Sequence, residues 1–117
     1  MAAPNIVNVS TITGKTAVQA VGTSATAIVT NSSSSGKVFK INALYIANID
    51  GSATADITVD LFRSSIAYPI ASTVQVPADS TLDLMSKALY LEEGDALRCT
   101  ASASGDLVAV CSYEEIS

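Results

Sequence analysis

The sequence predicts an all-β protein, folded as a single antiparallel β-sandwich or jelly-roll-like barrel of about eight strands. Apolar and polar residues alternate with a period of two through most of the chain. Gly, Ser, Asn and Asp recur between these runs as turn residues. No long segment carries apolar residues at helical spacing. A length of 117 residues suits one domain, residues 1–117, with a less regular N-terminal segment over about residues 1–36.

The N-terminal segment contains two predicted strands. They cover residues 5–11 and 25–30, where β-branched and other apolar residues alternate with polar ones. The predicted breaks between them are Gly14-Lys15 and Gly22-Thr23. Residues 32–36, four serines and a glycine, read SSSSG and predict an exposed loop.

The clearest strand covers residues 37–49. Its two predicted faces are Phe39, Ile41, Ala43, Tyr45 and Ala47 on one side, and Val38, Lys40, Asn42, Leu44 and Ile46 on the other. Both faces become apolar toward the C-terminal half, which predicts that this half lies deep in the domain.

The strands that follow are separated by recognisable turns. Asp50-Gly51 precedes a half-buried strand at residues 55–63, in which Ile57, Val59 and Leu61 face the core. Pro77-Ala78-Asp79 separates strands at residues 70–76 and 81–85, because proline cannot donate to a β-ladder. Further strands are predicted at 89–91, 96–103 and 107–114, with an acidic turn at 92–95 and a hairpin loop at 104–106.

Cys99 and Cys111 lie on the two strands of the last predicted hairpin, opposite each other, so a disulfide is geometrically possible. Residues 1–10 lack a basic segment followed by an apolar stretch and a cleavage site, which predicts folding in a cytoplasm. Thiols remain reduced there, so we favour two free buried thiols. We expect Cys99 to lie on the same strand face as Leu97 and Ala101, and Cys111 on the same strand face as Leu107 and Ala109.

No catalytic or nucleotide-binding constellation is evident, and we expect a non-enzymatic protein without cofactor. Histidine, the commonest general base and metal ligand, is absent from the sequence. Gly14-Lys15-Thr16 resembles the end of a phosphate-binding loop, but that motif needs a glycine where the chain has Val9, and a helix after it. The sequence favours a turn there.

The acidic residues do not form a recognisable site either. Asp50, Asp56 and Asp60 could surround a hard cation, but their spacing matches no compact calcium loop. A solvated or subunit-facing acidic strand is the favoured interpretation, and no metal is expected. The acidic turn at 92–95 suits solubility, and the absence of Trp disfavours a sugar-binding cleft.

Charge and hydropathy point to protein partners. Only 15% of residues are charged, so Ala, Ser and Thr must cover much of the surface, which favours an assembled state. The net charge of −5 and six dispersed Lys and Arg residues disfavour nucleic acid. No apolar run reaches the roughly 20 residues that span a bilayer, so no membrane partner is expected.

The last strand is apolar on both faces, which indicates that both faces are covered. Val108 and Val110 alternate with Leu107, Ala109 and Cys111. The second cover could be another sheet of the same domain or a neighbouring subunit. Because a small domain can fully bury few such strands, we favour the subunit. The expected interface residues are Val108, Val110 and Tyr113.

Three stretches carry a resemblance to a known class of protein. Residues 2–16 (AAPNIVNVSTITGKT), 36–42 (GKVFKIN) and 112–117 (SYEEIS) resemble small virion structural proteins of marine and cyanobacterial tailed phages. The likeness runs nearly end to end, but it consists of strand and turn sequences and carries no catalytic residue.

The resemblance implies a non-enzymatic virion component in many copies, assembled in the host cytoplasm. The leading hypothesis is a capsid decoration or cement protein. Its expected partners are other copies of itself, as a homotrimer, and virion proteins such as the major capsid protein. A tail, neck, baseplate or fibre-associated component is the alternative. A receptor-binding module for host-surface sugar is a third, which the scarcity of aromatic residues disfavours.

Overall fold

The computed structural model describes residues 4–117, and these form an all-β structure, as predicted. Nine strands alternate with turns and short loops in this part of the chain. Their bounds are β1 Ile12–Ala20, β2 Thr26–Thr30, β3 Val38–Asn48, β4 Ala55–Arg63, β5 Ile66–Val76, β6 Thr81–Asp83, β7 Leu89–Leu91, β8 Ala96–Ala101 and β9 Leu107–Ile116.

The strands form two antiparallel sheets. Sheet A has the order β1-β9-β3, with β6 and β7 both pairing to the far side of β3, and sheet B has the order β2-β8-β4-β5. The pairings are nested: β1 with β9, β2 with β8, β3 with β6 and β7, and β4 with β5. Nested antiparallel pairing in two sheets is a jelly roll. Since β6 and β7 occupy one edge as an interrupted strand, the chain has the eight strand positions of that fold.

The core lies between the two sheets and is built from alternate residues of the central strands. Ile41 and Ile46 of β3, Ile57 of β4, Leu97 of β8 and Ala109 of β9 have no solvent exposure. Burying a Leu or Ile side chain contributes about 1.5–3 kcal/mol, so this double layer stabilises the fold. The inward positions of Ile57, Val59 and Leu61 agree with the predicted faces of that strand.

The predicted faces of β3 are correct only for its first half. The pairing of β3 with β9 shifts between Ile41 and Ala43, so Asn42 is an extra residue in the ladder. After it, Leu44 and Ile46 point into the core, and Tyr45 is exposed. A simple alternation had placed Tyr45 with Ile41, and the bulge reverses that assignment.

The predicted strand at residues 5–11 is wrong. The Asn5 side chain accepts a hydrogen bond from the Val7 N–H at 3.0 Å, and the Asn5 carbonyl accepts one from the Asn8 N–H at 3.0 Å. These bonds form a local turn that replaces a ladder. The predicted break at Gly14-Lys15 is also wrong, because both residues pair with β9 inside β1.

The last two strands do not form a hairpin pair, contrary to the prediction. β8 pairs with β2 and β4 in sheet B, whereas β9 pairs with β1 and β3 in sheet A. The loop at residues 104–106 therefore crosses from one sheet to the other. Gly105 accommodates this turn at a φ of +84°, a conformation that favours glycine.

Candidate protein-protein interface

The solvent side of sheet A carries a continuous apolar surface. In one row, Val110 of β9 lies between Val18 of β1 and Tyr45 of β3. In the next row, Val108 lies between Ala20 of β1 and Ala47 of β3. Residues opposite each other in a sheet project from the same side. We call this surface the outer face; its residues are Val18, Ala20, Tyr45, Ala47, Val108 and Val110.

The outer face is open to solvent. Val18 is 72% exposed and Tyr45 is 43% exposed, while Val108 and Val110 between them are half-buried. Two valines and a tyrosine in one row, without a charged side chain among them, resemble the apolar centre of a protein interface. Asp83, opposite Tyr45 on β6, marks one rim.

The cover over Val108 and Val110 is not a second sheet of the same domain. On one side of β9, Leu107, Ala109 and Cys111 point into the core. Val108 and Val110 are on the other side, which faces solvent within residues 4–117. Of the two alternatives that the sequence leaves open, the described part of the chain excludes the intramolecular one. The surface is therefore available to another molecule.

Tyr113 lies on the opposite side of β9 from Val108 and Val110. Its ring packs against Phe39, with the ring centroids 5.6 Å apart, and contacts the core. Residues three apart in a strand project from opposite sides, so the sequence spacing of Val110 and Tyr113 was enough to predict that they lie on different faces. The outer face thus includes two of the three expected interface residues.

Two of the three acidic residues considered as cation ligands, Asp50 and Asp60, have other partners. Asp50 accepts hydrogen bonds from the Ser52 and Ala53 N–H groups, which lower the pKa of its carboxyl group. Asp60 accepts a hydrogen bond from Arg98 Nε at 2.8 Å, and that guanidinium stacks on Phe62. No group of three or more potential metal ligands occurs among the residues that the structure describes.

The acidic turn at residues 92–95 is held by an arginine. Arg63 of β4 binds both oxygens of Asp95 and one oxygen of Glu92. Burial alone would raise the pKa of Asp95, but Arg63 and the Glu92 N–H lower it below its usual range. Asp95 is therefore a buried structural anion and does not form a catalytic pair with Glu92.

Cys99 and Cys111 are free and have no solvent exposure, in agreement with the predicted thiols. Burial is the main reason that the pKa of Cys99 rises to about 12 and that of Cys111 to about 11. Thiolate, the reactive form, is therefore scarce at neutral pH. Their strands belong to different sheets, so the predicted cross-strand arrangement does not exist.

The outer face is one exposed apolar surface, and β5 exposes further large apolar side chains at Ile66, Tyr68 and Ile70. Residues 4–117 enclose no pocket for a small molecule. This part of the chain also contains no helix that is long and apolar enough to cross a membrane.

Comparison with known proteins supports the fold. No protein-family model matches the chain, and no curated protein matches it. Among solved structures, it is similar to a protein from work reporting that Bacillus endospore appendages form a novel family of disulfide-linked pili. The two are 12% identical, the similarity covers 92% of this chain and 88% of that chain, and the TM-score is 0.52. At this identity the likeness is one of fold.

Proposed function

We propose that this chain is a non-enzymatic structural subunit of a phage virion, and that it acts as a capsid decoration protein. The observation that carries the proposal is the outer face of sheet A. It joins the 72% exposed Val18 to the 43% exposed Tyr45 through Val110. In the proposed assembly this face is the one that packs against other virion proteins.

The dimensions of the outer face suit a modest interface. Strands lie about 4.8 Å apart and rise about 3.4 Å per residue, so the two rows of the outer face on β1, β9 and β3 cover roughly 10 by 15 Å. That area is smaller than a standard stable interface. A ligand that binds only the assembled shell stabilises it by mass action, however, and many copies multiply the effect. Decoration is a role in which a modest contact suffices.

Two further observations support a structural role. The solved protein of similar fold belongs to an appendage built as pili, a repeated assembly. The resemblance of residues 2–16, 36–42 and 112–117 to virion proteins supports a phage particle as the assembly. This chain buries both of its cysteines, which supports non-covalent contacts in the proposed assembly.

A tail or neck component is the second candidate, because the protein of similar fold comes from a filamentous appendage. The two candidates differ in what the particle loses without the protein. Virions that lack a decoration protein should release DNA at lower temperature or lower salt while still adsorbing to host cells. Lost adsorption with unchanged heat resistance would favour the tail.

The same experiment can test the outer face. Virions that lack the protein are supplied with purified Val110→Asp protein or with Ala27→Asp as a matched control, since Ala27 is an exposed residue of sheet B. We expect the control to restore heat resistance and Val110→Asp to fail. Restoration by both variants would contradict the role of the outer face.

A further inference from the structure

The edges of the two sheets differ in how they are protected. An edge strand presents unpaired N–H and C=O groups that can pair with another chain, and natural proteins blunt such edges with short strands, bulges or proline. In the described residues the edges of sheet B are β2 and β5, and those of sheet A are β1 and the interrupted pair β6 and β7.

Three of these edges are blunted. β6 and β7 have three residues each. β2 has five residues and a register shift between Ala27 and Val29. β5 is long, but it contains Pro69, and its pairing with β4 shifts on both sides of Val59. A second chain would find no long regular ladder at any of them.

The edge of β1 has none of these protections. Its nine residues pair with β9 in unbroken register from Ile12 to Ala20, without proline or bulge. Its one charged residue, Lys15, binds Glu115 Oε2 at 2.9 Å, which draws the ammonium group toward β9 and away from the free edge. Near the end of the strand, the Gln19 amide donates to carbonyls of β2, leaving residues 12–18 as the open part.

We propose that β1 pairs antiparallel with β1 of a second copy of this chain, with Thr16 opposite the partner's Thr16. This joins the two A sheets into one continuous sheet. Residues that lie opposite each other in an antiparallel pair project from the same side of the sheet. The two outer faces therefore lie on the same side of the joined sheet only if one residue of β1 lies opposite its own copy in the partner. Centring on Lys15 would place two lysines opposite each other, and like charges in that position are destabilising even with each ammonium group bound to its own Glu115. Centring on Thr16 avoids that.

The Thr16 register also fits the side chains. It places each Val18, the most exposed large apolar residue of the outer face, opposite the partner's Gly14. A Cβ at Gly14 would meet nothing within 4 Å, so there is room beside it for the valine. The charged Lys15 then lies opposite Ala17, a small neutral residue. The strand is thus complementary to itself, which identifies a second copy as the occupant.

A contact that uses the same strand on both subunits is isologous and closes with two copies. We therefore expect a dimer, whereas the resemblance to virion proteins led us to expect a homotrimer. The two outer faces become one surface of twice the width, which leaves them free for other virion proteins. The dimer does not depend on the proposed function.

The decisive experiment is cross-linking of a Thr16→Cys variant. Opposed residues of antiparallel strands have Cα atoms about 4.5–5.5 Å apart, within the range of a disulfide. We expect mild oxidation to convert the protein to a covalent dimer, and the native cysteines are too buried to contribute. Ala67→Cys, on the exposed edge of β5, is the matched control and should remain monomeric.

Light scattering and analytical ultracentrifugation of the unmodified protein supply a second test. We expect the unmodified protein to be a dimer at micromolar concentration. In Val18→Asp the dissociation constant of the dimer should rise about tenfold, because the new carboxylate lies beside the partner's Gly14 and close to the partner's Glu114, which pairs with that glycine. Val18→Lys should weaken the dimer less. A monomer, a trimer, or equal cross-linking of the Thr16→Cys and Ala67→Cys variants would overturn the inference. Loss of shell binding by Val110→Asp with an intact dimer would concern the outer face alone.

Discussion

Aspartate substitutions at two adjacent residues of β9 should have opposite consequences. Ala109 points into the core and has no solvent exposure, whereas Val110 belongs to the outer face and is half-buried. We expect Val110→Asp to remain folded and to lose binding to its assembly. We expect Ala109→Asp to lose the fold itself, although the two positions share one strand and one local sequence.

The magnitudes follow from the two environments. Val110→Asp loses β-propensity and contact with Val18 and Tyr45, at a cost of about 1 kcal/mol. Ala109→Asp leaves a carboxylate in the core without a partner, at a cost of about 3–5 kcal/mol, and adds overpacking of about 1–3 kcal/mol. A chain of 117 residues has a total stability of roughly 6–18 kcal/mol. The second variant therefore removes a large fraction of it.

Urea unfolding followed by circular dichroism measures both changes. With a slope of about 1–3 kcal/mol per molar urea, Val110→Asp should shift the midpoint by roughly 0.3–1 M, and Ala109→Asp should abolish the native baseline or shift the midpoint by several molar. Equal destabilisation by the two variants would refute the assignment of Val110 to an exposed face. Full binding by Val110→Asp would refute the role of that face.

Three further outcomes are expected from the described contacts. Thiol titration should find no reactive cysteine in the native protein and two in denaturant without reductant, because Cys99 and Cys111 are buried and free; none in denaturant would reveal a disulfide. The pKa of Asp95 is lowered in the folded protein, so the carboxylate stabilises the fold fully above its ordinary pKa of 3.8 and loses this effect as the pH falls through the folded pKa. The melting temperature of Asp95→Asn should therefore fall less on acidification than that of the native protein. An equal fall in both proteins would contradict this. Gly94→Ala should cost about 1 kcal/mol in urea unfolding because Gly94 has a φ of +89°, while Gly22→Ala, with open space at its Cβ, should be nearly neutral; equal costs would refute the strain argument.

Period-two alternation was sufficient to locate most of the strands. β7 has the predicted bounds, and β2 and β4 differ from the prediction by at most one residue, because their apolar residues alternate between clear turn signals. The turns at Asp50-Gly51 and Pro77-Ala78-Asp79 are likewise where their residue types indicated. Strand alternation and turn residues depend on neighbours in the sequence, so they can be predicted without knowing which strands pair.

The errors concern partners that lie far away in the sequence. Gly14 is part of a strand because β9 supplies an unbroken ladder, which outweighs the local weakness of glycine in a strand. The loop at residues 104–106 resembles a hairpin turn but connects two sheets, since β8 and β9 each find better neighbours elsewhere. The bulge at Asn42 has no residue signature that alternation can detect, and it decides that Tyr45 faces outward.

The candidate interface was predicted in part. The apolar character of Val108 and Val110 on the second face of β9 was visible in the sequence. Their neighbours Val18 and Tyr45 were not, because they come from strands whose register with β9 only the fold defines. Tyr113 could have been separated from Val110 by counting residues along the strand.

The claim that the outer face packs against other proteins can be tested most directly with two native tyrosines. Tyr45 lies on the outer face and is 43% exposed, while Tyr68 lies on β5 of sheet B and is 50% exposed, so each is a matched control for the other. Hydroxyl-radical footprinting with mass spectrometry compares their oxidation in the free protein and in the assembled virion. We predict that assembly protects Tyr45 strongly and leaves Tyr68 nearly as reactive as before. Unchanged reactivity of Tyr45 in the particle would contradict the account.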